Sequence, residues 1–285
     1  MTKPKKKPLV ALKRNNLELS TLKEKKLSIQ FSLDGFSFCI TDVFTETILA
    51  LYHYPFKAAT PETLLTEIEA VFNASELLKN TFKNVNVCHI NNLSTLVPKS
   101  FFDKEKLASY LGYSAKTFKN DYYTHDTIDA IEAVNVYIPF VNINNYFIDT
   151  FGSFNYNHFS SLLIKHLITF SPKSEIPQVF AHIAKSHFEI VVFKNQQLLL
   201  YNTFKYQTKE DFIYYLLFVA EQLKLDAETF NLQLLGAVTK QDDLFSIAYK
   251  YVKNTSLFEY NLSYKTDFIL ADTHKRNFFT LLQNN

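Results

Sequence analysis

The chain has 285 residues, 47% apolar and 20% charged, with 4 Gly, 8 Pro and 2 Cys. This composition excludes collagen-like, linker-like and wholly disordered classes and leaves room for one large domain or two lobes. Cys39 and Cys88 are too few for a disulfide scaffold, and 30 basic against 28 acidic residues, a net charge of +2, argues against a surface-wide polyanion binder.

The basic start, Lys3, Lys5, Lys6 and Lys7, is followed only by the short apolar run Leu9-Val10-Ala11-Leu12, so no leader is expected. No segment approaches the ~18 apolar residues of a membrane span. The best candidate, 212–223, is too short and contains Glu221. Residues 1–24 are read as a basic, flexible, solvated tail. Docking of this tract, or of Lys23, Lys25 and Lys26, on anionic lipid or RNA is the weaker alternative. A cytoplasmic protein is expected. The 28 Phe and 17 Tyr with no Trp fit A/T-rich codons and core packing better than base stacking.

Alternation through 27–33, the turn pair Asp34-Gly35 and a second alternating run, 36–40, predict a hairpin whose glycine supplies positive φ. A third strand is expected over 47–54. Thr60-Pro61-Glu62 starts a helix carrying Leu64, Leu65, Ile68, Val71 and Phe72 at helical spacing. A strand is predicted at 84–90, an extended piece at 95–98, a helix at 102–111 and a strand at 133–140. Helix-like stretches at 142–150 and 158–169 look like additional material. The linker Ser171–Pro177 is bracketed by prolines. Strands at 187–193 and 197–204 follow, then a helix at 212–223 behind Thr208, a strand at 230–238, a helix from Asp242-Asp243 to Val252, a strand at 256–262 and a helical tail at 273–282.

The order β-β-β-α-β-α-β therefore occurs twice, as a repeat of pattern and not of residues. The domains expected are a tail at 1–24, a lobe at 25–171, a linker at 172–177 and a second lobe with a C-terminal helix at 178–285.

The doubled order, with Leu27–Gly35, Leu96–Phe102 and Val134–Pro139, resembles the actin-like ATPase (ribonuclease-H-like) α/β fold of actin, sugar kinases and Hsp70-type chaperones. Within it the chain is most similar to pilus-assembly actin-like proteins and to a bacterial family of unknown function assigned to that fold. The resemblance implies that three loops would hold Mg-ATP: two hairpin turns with an Asp-x-Gly pattern and a Gly-Gly pair after a strand of the second lobe. Here the first turn has Asp34 directly before Gly35, with Phe36 next. The second, at 184–187, has neither Asp nor Gly, and the third keeps only Gly236. A phosphate cradle needs several backbone N–H groups unshielded by side chains. Asp34, Gly35 and Gly236 are thus nucleotide-binding candidates only if ATP binds, and no cofactor, metal or catalytic residue is expected.

Other constellations are weaker. Cys88 and His89 are strand neighbours that point to opposite faces. Asp121, His125 and Asp129 would share a face on a helix, but a polar loop before a strand explains them equally well. His182 and His187 flank the second turn, where they could bind an anion or metal, without a third ligand. The function expected is a non-catalytic scaffold with an unidentified protein partner. The alternatives are a divergent ATP-binding protein and a nucleic-acid-associated factor.

Overall fold

The computed structural model describes residues 6–118 and 120–283. The chain forms two compact units. Unit 1 runs through Leu162 and takes in Leu262–Leu270 and the chain from Thr280, while unit 2 comprises Leu163–Asn261 and Ala271–Phe279.

Unit 1 contains β1 (Val10–Lys13), β2 (Lys26–Ser32), β3 (Gly35–Asp42), β4 (Thr47–Pro55), α1 (Pro61–Ala74), β5 (Asn84–His89), β6 (Ser94–Pro98), α2 (Leu107–Gly112), β7 (Thr124–Ile128), β8 (Ala133–Tyr137), α3 (Val141–Phe151) and β9 (Asn155–His158). Its main sheet runs β1-β4-β3-β2-β5-β9. The meander β2-β3-β4 is antiparallel, whereas β5 joins β2, and β9 joins β5, in parallel. Every residue of β3 except Asp42 is buried, as expected of a strand covered on both faces. Helix α1 starts where Thr60 and Thr63 form a reciprocal capping box, which contributes about 1 kcal/mol. Its Leu64, Ile68, Val71 and Phe72 meet Ile143 and Phe147 of α3 in one core.

Helix α4 (Phe159–Leu167) leads into unit 2, which holds β10 (Gln178–Ile183), β11 (His187–Lys194), β12 (Gln197–Lys205), α5 (Lys209–Gln222), β13 (Asn231–Gly236), α6 (Asp243–Tyr251) and β14 (Asn254–Leu257). The sheet order is β12-β11-β10-β13-β14. The third-second-first-fourth-fifth order is the same as β4-β3-β2-β5-β9, so the doubling read from the sequence is real. After β14 come β15 (Lys265–Thr266), α7 (Asp272–Asn277) and α8 (Phe279–Gln283).

Two expectations are corrected. The second helix and fifth strand of the first repeat are α3 and β9, not the segments at 102–111 and 133–140. Residues 94–98, 124–128 and 133–137 form a separate three-stranded sheet, β6-β8-β7, with α2 against it. Periodicity shows that a strand exists but not which sheet it joins, so an inserted sheet passes for the repeat itself. Strand β10, the centre of its sheet, lies directly after Pro177, where the linker masks it.

The second correction concerns the expected flexible tail. Its first five residues lie outside the described part. Beyond them, β1 pairs with β4, Leu19–Glu24 form a 3₁₀ helix, and Leu22 is fully buried. The edge of β4 is shared between β1, opposite Ala50–His53, and β15, opposite Thr47–Ile48. Unpaired strand edges gain from such cover. The basic run is also engaged: Lys25 pairs with Asp42 at 2.7 Å, and Lys26 is half-buried, its pKa lowered by that burial.

Candidate functional site

The loops that the fold makes candidates for a phosphate site lie at the ends of β2, β10 and β13. In unit 1, the turn between β2 and β3 is Leu33-Asp34. Leu33 packs on the core and Phe36 is fully buried within it. The N–H of Asp34 donates to Ser32 Oγ at 3.1 Å. The carbonyls of Asp34 and Leu33 accept from the N–H groups of Phe56 and Ala58 at 2.7 and 3.0 Å. Gly35 is a strand residue without positive φ, which corrects the sequence reading. Its glycine has a steric cause: a Cβ there would lie 2.9 Å from both His53 Cε1 and the Tyr54 carbonyl oxygen.

In unit 2, the turn between β10 and β11 is Ala184-Lys185-Ser186. Ala184 N–H donates to the His187 carbonyl at 2.9 Å. The Tyr206 hydroxyl donates to the Ala184 carbonyl at 2.7 Å, and Tyr206 N–H donates to the Ser186 carbonyl at 3.2 Å. The two units thus share a device. The residue after the third strand, Phe56 or Tyr206, gives its N–H to the turn between the first two.

The third loop begins at Gly236, which has φ +88°. A Cβ on it would lie 2.2 Å from the Ile183 carbonyl oxygen and 2.8 Å from the Ile183 nitrogen. Ala237 N–H donates to that same oxygen at 2.8 Å.

Next to the second turn the structure assembles a cluster that the sequence reveals only in half. His182 and His187 are joined by Glu189, which lies opposite His182 across the β10–β11 ladder. His182 Nδ1 is 2.8 Å from Glu189 Oε2, and His187 Nε2 is 3.3 Å from Oε1. Glu189 is 2% exposed. Burial alone would raise its pKa, but the hydrogen bonds and charges of the two imidazoles outweigh it and bring the carboxyl down to about 2. A charged residue in the buried strand run Phe188–Phe193 was the available signal.

A second polar cluster joins the ends of β5 and β9 to the inserted sheet. His89 and His158 are register partners. His89 Nδ1 accepts from Phe140 N–H at 3.2 Å, so Nε2–H donates to Asn144 Oδ1 at 3.0 Å. His158 Nδ1 accepts from Ser160 N–H at 3.2 Å, leaving Nε2–H to the Asn91 carbonyl at 3.1 Å. Asp126 accepts from Tyr137 Oη, Asn157 Nδ2 and His158 N–H at 3.1, 3.1 and 2.8 Å. Burial pushes its pKa up against those bonds. Burial also pushes His89 down to about 3, helped by His158 and opposed by Asn144.

The remaining candidates do not assemble. His125 sits on β7, which is a strand, so Asp121, His125 and Asp129 share no helical face. Asp121 Oδ2 instead accepts from Phe118 N–H at 2.6 Å, and Asp129 pairs with Lys99 at 3.0 Å. Cys39 and Cys88 are free and buried, and burial raises both thiols, Cys39 to about 12. Among the described residues no group of three or more His, Cys, Asp or Glu could hold a metal, and no helix is long and apolar enough to cross a membrane.

The fold agrees with two solved structures. A Bacteroides thetaiotaomicron protein with actin-like ATPase fold and unknown function is 23% identical, with TM-score 0.78 over 85% of this chain and 93% of its own. The PilM–PilN type IV pilus biogenesis complex contains a chain 12% identical, with TM-score 0.53 over 92% of this chain and 97% of its own. Both likenesses show the actin-like ATPase fold. No curated protein matches the chain. The family described as protein of unknown function (DUF3822) matches residues 14–255, and the chain belongs to that family.

Proposed function

We propose that the chain is a non-catalytic actin-like protein that works in the cytoplasm as a protein-interaction scaffold and carries no nucleotide. The observation behind this reading is how the chain uses its glycines. The space left by the missing Cβ is taken by the chain's own main chain, Tyr54 at Gly35 and Ile183 at Gly236. A glycine in a phosphate loop leaves that space to the ligand. The second turn has no glycine, and Tyr206 holds its carbonyls. The protein partner is an argument from likeness, since the PilM of a similar structure is in complex with PilN.

A second reading, a divergent Mg-ATP binder using Asp34, Gly35 and Gly236, draws on one observation. The half-buried Asp34 carboxylate takes no hydrogen bond from a described residue. A thermal unfolding scan with Mg-ATP separates the two. The scaffold reading expects the same Tm with and without nucleotide, in the wild type and in Asp34→Ala. A rise of several degrees that Asp34→Ala abolishes would replace it with the second reading.

A further inference from the structure

The sequence holds only two arginines among its 30 basic residues, Arg14 and Arg276. Arg14 is exposed and pairs with Asp267 at 3.0 Å. Arg276 differs. It is 6% exposed, and its Nε is shut off from solvent with no hydrogen-bond partner. No described carboxylate forms an ion pair with it.

Arg276 belongs to α7 and lines a pocket of about 350 Å³ in unit 2 with Phe258, Glu259, Tyr260, Asn261, Asp272 and Lys275. That is the size of a small-molecule site. Neither carboxylate of the lining forms an ion pair with the guanidinium. Asp272 is bound to Lys275 Nζ at 2.8 Å and faces solvent, and the charge of Arg276 is the least of the influences on its carboxyl. Glu259 is an exposed lining residue. One side of the pocket is aromatic. The Phe258 and Tyr260 rings stack at 5.6 Å, and both meet Phe279, at 5.2 and 5.0 Å. Tyr260 Oη is fixed by donating to the Lys275 carbonyl at 3.0 Å.

A guanidinium cannot shed its proton, so burial without a counter-charge is a standing cost that an anion would relieve. Its planar fork matches a carboxylate or phosphate better than a lysine ammonium does. We propose that the Arg276 pocket is an oxyanion-binding site that receives the carboxylate or phosphate group of a small ligand. It shares no residue with the three loops, so it stands or falls independently of the scaffold reading.

The scarcity of arginine makes the test direct. The full chain labelled with ¹⁵N-arginine gives two Nε–H resonances, assigned with Arg14→Lys. Sodium phosphate and sodium acetate are titrated separately against sodium chloride at matched ionic strength. The site predicts a saturable shift of the Arg276 signal, with Arg14 unmoved, and a rise in Tm with the same anion that Arg276→Lys removes. Saturation by phosphate alone identifies a phosphoryl ligand, and saturation by acetate alone a carboxylate. If Arg276→Lys does not fold, Lys275→Met serves in its place and should weaken saturation. No saturable change at Arg276 with either anion, or parallel drift of both arginines, would overturn the proposal.

Discussion

Gly236 lies against the main chain of Ile183, its parallel-strand partner, so closely that a methyl group there would stand 2.2 Å from the Ile183 carbonyl oxygen. That oxygen already accepts from Ala237 N–H and cannot move aside without breaking the bond. The positive φ adds a second penalty for any L side chain. Gly236→Ala is expected to cost about 3–5 kcal/mol, the sum of overpacking and left-handed strain. Gly112, at the end of α2, is the control, because a methyl group added there would meet nothing within 4 Å. Gly112→Ala should be neutral or stabilise by up to about 1 kcal/mol. Urea denaturation of the two variants checks both, and equal effects would refute the steric account.

Glu189 predicts a pH signature. Its carboxyl is held below its ordinary value, so its share of stability is complete above about pH 4.5 and disappears as the pH falls through about 2. Replacing it with Gln removes the charge that His182 and His187 share in a buried setting, which should cost about 3–5 kcal/mol near neutrality. The gap between wild type and Glu189→Gln, followed by urea denaturation across pH, should narrow steadily below pH 4.5. A gap independent of pH would show that the carboxylate charge contributes nothing.

His89 and His166 titrate in another window. Burial holds His89 at about 3 and His166 at about 4, against 6.5 for the free side chain. In this range the unfolded chain binds protons that the folded chain refuses, so stability falls as the pH drops from about 6.5 toward 3. For His89 the cause is also geometric: protonating Nδ1 would break the bond from Phe140 N–H. Imidazole proton shifts followed by NMR should show both rings neutral at pH 5. A His89 midpoint near 6 would contradict the account that burial keeps the ring neutral.

Much of the fold was legible because local rules and tertiary fold agree. The meander of unit 1, the Thr60 and Thr208 caps and the strand over 187–193 all lie where periodicity and capping placed them. The inserted sheet escapes such rules because β8, AVNVY, has the mostly apolar composition that would suit any buried strand. Its membership is decided by Asp126, Asn135 and the other polar groups that join it to β9 and α4, contacts no local pattern encodes. The candidate site was legible as loop positions only. That Gly35 answers to Tyr54 and Gly236 to Ile183 depends on approaches between separate strands. Glu189 stayed hidden because a single acid in a strand gives no sign of its two histidines until the ladder register is known.

The N-terminal segment gives the last prediction. Leu22 follows a stretch that composition alone reads as tail, yet it is fully buried in the core formed by Leu27, Val85 and the rest of unit 1. Cutting a leucine back to alanine at such a site costs both the transfer energy of the lost carbons and the cavity they leave. Leu22→Ala should therefore lower stability by about 2–5 kcal/mol, whereas a truly solvated residue would change it by less than about 0.5 kcal/mol. Lys23→Ala, one residue along at an exposed position, is the matched control. Chemical denaturation of the pair decides whether the segment from residue 10 onward is part of the folded unit. Equal and negligible effects would return it to the solvent.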